Sequence, residues 1–145
     1  VTDFSELVGT ELGVGDWFEI TQDRVDAFAD ATDDHQWIHQ AGDRADNGPF
    51  GGPIAHGFLT LSLLTPLTWG IFEGFTKDAA MVINYGLDKV RYVTPVPVGS
   101  RIRARVVLAD AKPVANGTQL TSEVTIELEG AERPAVVIEH LMRVY

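Results

Sequence analysis

The sequence predicts an α+β domain in which a curved antiparallel sheet wraps one long helix. Three observations carry this. Residues 57–72 are apolar on nearly every side (Phe58, Leu59, Leu61, Leu63, Leu64, Leu67, Trp69, Ile71 and Phe72), which marks a helix enclosed by other structure. From about residue 80 onward the apolar residues recur with period two, the strand period. The helical patterns come first and the strand patterns follow, so the two kinds of element are segregated. A sheet covers a helix that is apolar all round only by curling about it. One curved sheet still leaves an edge strand and part of the helix open, and pairing two sheets in a homodimer is the natural completion.

Composition narrows the class. The 145 residues make one domain, 1–145, large enough for a real core. There is no cysteine, which removes disulfides and thiolate chemistry. Eleven basic against 21 acidic side chains give a net charge of -10, which argues against nucleic acid as partner. The first residues, Val1 to Glu6, show neither a basic nor an apolar signal region, so a cytoplasmic protein is expected. The 57–72 segment is interrupted by Thr60, Ser62, Thr65 and Pro66 and is too short for a membrane span.

Taken in order, residues 1–14 are weakly patterned and read as a lead-in, and Trp17 to Ile20 as a short strand. Thr21 is an N-cap, and Val25, Phe28 and Ala29 define one apolar face, so a helix runs from Thr21 to about Thr32. From Thr32 to Pro53 periodicity stops in a glycine- and proline-rich excursion; structureless stretches of that length are usually functional. The core helix follows from Gly57, and Pro66 is expected to kink it or end its regular part near Thr65. Ala80–Tyr85 and Asp88–Val93 form one long strand with an irregularity at Gly86. Arg101 to Val106 alternates between a basic and an apolar face. Asn116-Gly117 is a hairpin turn, because both residues tolerate positive φ. A last strand, Ala135 to Tyr145, carries His140 on its apolar face, where a satisfied core histidine is expected.

The chemistry-bearing residues cluster at the excursion. Asp34 stands five residues before His39, and a carboxylate beside an imidazole can hold one water and shuttle its protons. The alternative is two surface loop residues on an acidic protein. His35 and His39, with Asp33 or Asp34, also have the types for a metal pair, and His56 is a further candidate ligand; no supporting pattern of outer partners accompanies them, so no metal is expected. Gly57 opens the core helix, where unpaired N–H groups aimed at a thioester oxygen would stabilise a developing enolate; the alternative is a helix start that needs a small residue for close packing. Ser62 can hydrogen-bond in the site or simply to its own backbone. Lys89, Arg91, Arg101, Arg103 and Arg105 concentrate the positive charge, either as a dock for a phosphate-bearing ligand or as a solvated sheet face. Nucleophile-elbow, P-loop and dinucleotide-binding motifs are absent.

With these residues in view the chain resembles the MaoC-type (R)-specific enoyl-CoA hydratases, single hot-dog domains. The carriers are Asp34, His39, Pro53 and the helix start Ala55-His56-Gly57. Thr32 to His39, together with Gly51 to Leu64, is similar to the nodulation-protein-N-type branch; Asn84 to Tyr92 and Pro95 to Ser100 extend the likeness over most of the chain. The resemblance implies a hot-dog fold and a dimer with the site near its interface. It also implies syn addition of water to a trans-2-enoyl thioester of CoA or acyl-carrier protein, giving the (R)-3-hydroxyacyl product, with no cofactor. It assigns Asp34 and His39 to water activation, the Gly57 N–H to the thioester carbonyl and Ser62 to support of the site.

Two positions depart from the family pattern. Asp33 stands where the family has glycine, adding a negative neighbour expected to raise the Asp34 pKa, and Gln36-Trp37 replaces Asn-Pro, altering the loop. Two rival readings remain at this level. A hot-dog thioesterase would need a carboxylate on the core helix, and residues 57–72 have none. A non-catalytic acyl-CoA-binding protein would keep the pair for loop structure alone.

Overall fold

A computed structural model of the chain describes residues 3–145. The elements are strands β1 (Glu11–Val14) and β2 (Phe18–Glu19), helices α1 (Gln22–Thr32), α2 (Asp43–Asp46), α3 (Gly57–Ser62) and α4 (Leu64–Thr76), then strands β3 (Val82–Tyr92), β4 (Arg101–Val114), β5 (Gly117–Leu128) and β6 (Val136–Val144). The six strands form one antiparallel sheet in the order β1-β4-β5-β6-β3, with β2 also paired to β4. It curls around the α3–α4 helix, the hot-dog arrangement.

The period-two pattern decides which face is buried. On β4, Ile102, Ala104, Val106 and Leu108 are fully buried while Arg101, Arg103 and Arg105 face outward. Leu120, Val124 and Ile126 of β5 and Val136 and Ile138 of β6 continue that inner face, and Leu59, Leu63, Leu64, Leu67 and Phe72 of the helix fill it. The hairpin turn falls at Asn116 with φ 63, as its residue type demands. The arginine row is a solvated face: Arg101 pairs with Glu129, Arg103 with Glu127, and Arg105 with Glu11 and Glu127.

Four expectations are corrected. Residues 3–14 are more than a lead-in, residues 1 and 2 lying outside the described residues: Phe4 is buried at the head of a 3₁₀ turn, Phe4–Leu7, and β1 pairs with β4. The 32–53 excursion is not structureless; it holds a 3₁₀ turn at Trp37–His39 and α2. The core helix extends to Thr76 rather than about Phe72. It also breaks at Leu63, two residues ahead of the position expected near Thr65. Proline lacks an N–H and its ring crowds the carbonyl four residues back, here that of Ser62, so the chain opens just beyond that carbonyl and Pro66 sits in the first turn of α4, where proline is tolerated.

The long β3 strand pairs with β6 on one side only, and its whole length faces solvent on the other. Beside it the helix shows an uncovered stripe in which Phe58 is 69% and Trp69 61% exposed.

Candidate active site

Helix α1 begins at its N-cap Thr21, whose hydroxyl accepts from the Arg24 N–H, and ends at Asp33 in the left-handed conformation, φ 59. That reversal turns Asp34 off the helix. The Gln22 side chain, in the first turn of α1, donates to the His39 carbonyl at 2.9 Å and ties the following loop to the helix. Within the loop, the Arg44 guanidinium lies 4.5 Å over Trp37, and Gly48 packs so closely on the indole that a Cβ there would stand 3.0 Å from it. Trp37 therefore anchors the turn that carries His39.

The return of the chain toward α3 supplies the other half. Ile54 donates its N–H to Ile38 at 2.9 Å, and Ala55 donates to Val96 at 2.8 Å. Held between those segments, the Ile54 carbonyl accepts from His39 Nδ1 at 2.7 Å. A carbonyl only accepts, so Nδ1 carries the proton and Nε2 is left with the lone pair. His39 is buried. Burial pushes its pKa below the ordinary 6.5; the bond to Ile54 opposes this, the neighbouring His56 imidazole reinforces it, and the Asp34 charge opposes it.

His56 completes the site from below. Its ring is 1% exposed and stacks on His39 with centroids 3.7 Å apart and planes inclined by 23°, while Phe28 closes its other flank at 5.0 Å. His56 Nε2 donates to the backbone carbonyl of Asp34 at 3.0 Å, fixing the residue whose carboxylate faces the site. Its Nδ1 is buried without a partner. The expected pair of Asp34 and His39 is thus brought together, with His56 as a third member. The sequence presents His56 as a metal candidate and as part of the Ala55-His56-Gly57 helix start, without giving it a role in the site; its place directly before Gly57 was the available signal.

The other expected residues fall as follows. Gly57 is the first residue of α3, so its N–H has no acceptor within the helix. A Cβ at Gly57 would meet the Tyr92 ring at 3.0–3.2 Å, so only glycine permits this approach. Tyr92, from the end of β3, is a neighbour of the site that the sequence did not reveal. Ser62 is exposed and donates to the Phe58 carbonyl at 2.6 Å, the backbone bond that was its alternative role. His35 is not brought to His39; it turns to Asp30 at 3.7 Å. Among the described residues, the set that could hold a cation is Asp34, His39 and His56, whose donor atoms lie within 4.8 Å of one another. Stacked imidazoles, however, direct their in-plane lone pairs side by side rather than at one point, an arrangement better suited to protons than to a metal.

The family model described as MaoC like domain matches residues 3–130. The chain is 49% identical over 144 residues to the 3-hydroxyacyl-thioester dehydratase Z of Mycobacterium tuberculosis, covering 99% of this chain and 94% of that one. It is 46% identical over 140 residues to Nodulation protein N of Rhizobium leguminosarum bv. viciae, covering 94% and 85%. Among solved structures it superposes on the (R)-hydratase from A. caviae involved in PHA biosynthesis with a TM-score of 0.74, covering 95% and 96% at 23% identity, a likeness of fold.

Proposed function

This chain belongs to the MaoC-like dehydratase family, and from that premise we propose that it is a hydro-lyase that adds water reversibly across the double bond of a trans-2-enoyl thioester to give the (R)-3-hydroxyacyl thioester. The single observation that carries the mechanism is the hydrogen bond from His39 Nδ1 to Ile54. It leaves Nε2 as an acceptor in a buried ring that stays neutral near physiological pH.

Each group then has one task. Asp34 accepts a hydrogen bond from the water and orients it. His39 Nε2 takes the other proton as the water oxygen bonds to C3. The electron pair of the C2–C3 bond moves toward the thioester oxygen, where the Gly57 N–H stabilises the developing enolate. The imidazolium of His39 returns its proton to C2 on the face from which water came, giving syn addition and a regenerated base. Water, two side chains and one N–H suffice, and the reaction asks for no cofactor. The thioester is carried by CoA or an acyl-carrier protein.

We assign the working unit as a homodimer formed through β3. An exposed, long and apolar edge strand invites pairing with a second copy, and Val82, Ile83, Tyr85 and Leu87 line it beside the uncovered Phe58 and Trp69.

The test is the ultraviolet absorbance of crotonyl-CoA, with a thiol reagent in a parallel cuvette. Loss of enoyl absorbance without free thiol is expected, and it should vanish in Asp34→Asn and His39→Gln variants that remain folded. Release of free thiol would overturn the reading in favour of a thioesterase; near-normal turnover by either variant would overturn the assigned pair.

A further inference from the structure

Between α4 and the inner face of β3 and β6 lies a cavity of about 460 Å³. Its walls are largely apolar, with Trp69 and Phe72 from the helix, Met81 and Val82 from the start of β3 and Met142 from β6. Its floor is polar. His140 is 4% exposed, and its Nε2 donates to Asn84 Oδ1 at 3.0 Å. That bond turns the Asn84 oxygen toward His140; Asn84 is itself exposed, and its amide NH₂ has no acceptor among the described residues. The Thr65 hydroxyl, at the cavity's near end, is likewise exposed and without a partner among them.

The polar floor is not accounted for by core packing. A hydrocarbon side chain in place of His140 would fill this layer of the sheet without leaving polar atoms to satisfy. Instead His140 Nδ1 is buried without a partner; the hydroxyl of Ser122, its cross-strand neighbour on β5 and outside the cavity lining, is also buried without one. Unsatisfied polar groups in a native interior call for an explanation. Burial holds the His140 pKa below its ordinary 6.5, so the floor is uncharged. The charged side chains lining the cavity, Glu73 and Lys77, are exposed and opposite in sign.

The cavity is lined by α4, which follows directly on the helix segment that Gly57 opens. The segments α3 and α4 follow each other along residues 57–76, joined at Leu63. Phe58, Ser62, Thr65 and Trp69 follow each other along a single stripe from the Gly57 end to the cavity, exposed in the single chain and on the side assigned above to the dimer contact. Thr65 is eight residues beyond Gly57, about 12 Å along the axis. The pocket beside His39 is bounded by Asp26, Asp30 and His35 and suits no acyl chain. The cleft by Trp17 lies against Leu67 and Ile71, on another face of the helix.

We infer that the acyl group handled at this site carries an uncharged oxygen function, a hydroxyl or a ketone, on its distal half, received at the polar floor by Asn84 beside His140. The inference rests on the thioester reading above. An unsubstituted chain of the same length dehydrates the Asn84 amide and the Thr65 hydroxyl and gives nothing back. Sites built to bond an oxygen reject analogues that lack it. A carboxylate is disfavoured because the floor offers no positive charge.

The experiment compares kcat/KM for matched trans-2-enoyl-CoAs long enough to reach the cavity, ending in a plain chain, a distal hydroxyl or ketone, or a carboxylate. The oxygenated, uncharged chains are expected to exceed the plain ones by roughly tenfold. Asn84→Leu should abolish that preference while leaving crotonyl-CoA turnover unchanged. Equal or better use of plain chains, survival of the preference in Asn84→Leu, or best use of the carboxylate would each overturn the inference. Saturated acyl-CoAs, which cannot be hydrated, read the same preference as binding through Trp69 fluorescence, with Trp69→Phe identifying the signal. Preference in binding without turnover of any enoyl chain would uphold the cavity's role and sink the hydratase reading. Turnover without preference would do the reverse.

Discussion

The imidazoles of His39 and His56 lie face to face, 3.7 Å between centroids, and each is held in the stack by a hydrogen bond to a backbone carbonyl, Ile54 for the first and Asp34 for the second. Charging His39 would set a cation against the neighbouring imidazole in a largely buried position. The stack therefore favours neutral imidazole, the form a base needs.

The pH dependence follows from that. Since the His39 pKa lies below 6.5, neutral His39 persists to lower pH than a free imidazole would, and the acid limb of kcat/KM should have its midpoint below 6.5. His140 is lowered as well, by burial. For both groups the unfolded chain takes up protons first on acidification, so their contribution to stability is complete above 6.5 and is lost as pH falls through the folded values. Thermal melts from pH 8 to 5 should show the midpoint falling only below about 6.5. An acid limb centred above 6.5 would contradict the account.

Two substitutions at His56 separate its roles. His56→Phe keeps a ring under His39 but removes the donor to Asp34; kcat should fall by about tenfold while the acid limb stays near its original position. His56→Gln offers an N–H but no ring, and the acid limb should move up toward 6.5 as the packing that buries His39 is loosened and the neighbouring imidazole is lost. If both variants shift the profile equally, His56 acts only as filler.

Gly57→Ala tests the contact with Tyr92. The added Cβ meets that ring at 3.0–3.2 Å, so the ring or the helix start must move. A displaced N–H donor should cost roughly 10- to 100-fold in kcat with little change in melting temperature. The double variant with Tyr92→Leu should recover part of the loss; failure to recover would place the damage elsewhere.

Asp33→Gly should stabilise the protein. Asp33 holds φ 59, a conformation costing about 1 kcal/mol for a residue with a Cβ, and its carboxylate makes no hydrogen bond or ion pair among the described residues. The urea midpoint should rise by a corresponding amount, with crotonyl-CoA turnover retained.

The edge strand offers a fifth test. Ile83→Lys puts a charge on β3, the device by which proteins blunt exposed edges. Sedimentation should show the parent chain as a dimer and the variant as a monomer. A parent chain that stays monomeric at micromolar concentration would remove the proposed dimer.

Much of this protein is legible from residue order alone, because it rests on local rules. The curled sheet about one helix follows from apolar periodicity at Gly57–Phe72 and alternation on Arg101–Val106, and the Asn116 turn from the φ it tolerates. Asp34, His39 and Gly57 stand out by type and spacing beside a loop rich in glycine. What only the tertiary structure decided are relationships between distant segments. His56 joins the site because α3 starts beneath a loop 22 residues earlier in the chain, and Tyr92 reaches Gly57 because β3 ends there. The tautomer of His39 depends on the Ile54 carbonyl, 15 residues away, and the polar floor on a bond between Asn84 and His140, 56 residues apart. Periodicity reports which face of an element is buried; it does not report what the opposite wall contributes. That wall is set by the register of β3 on β6 and by the break at Leu63, and those emerge only when the whole chain is packed.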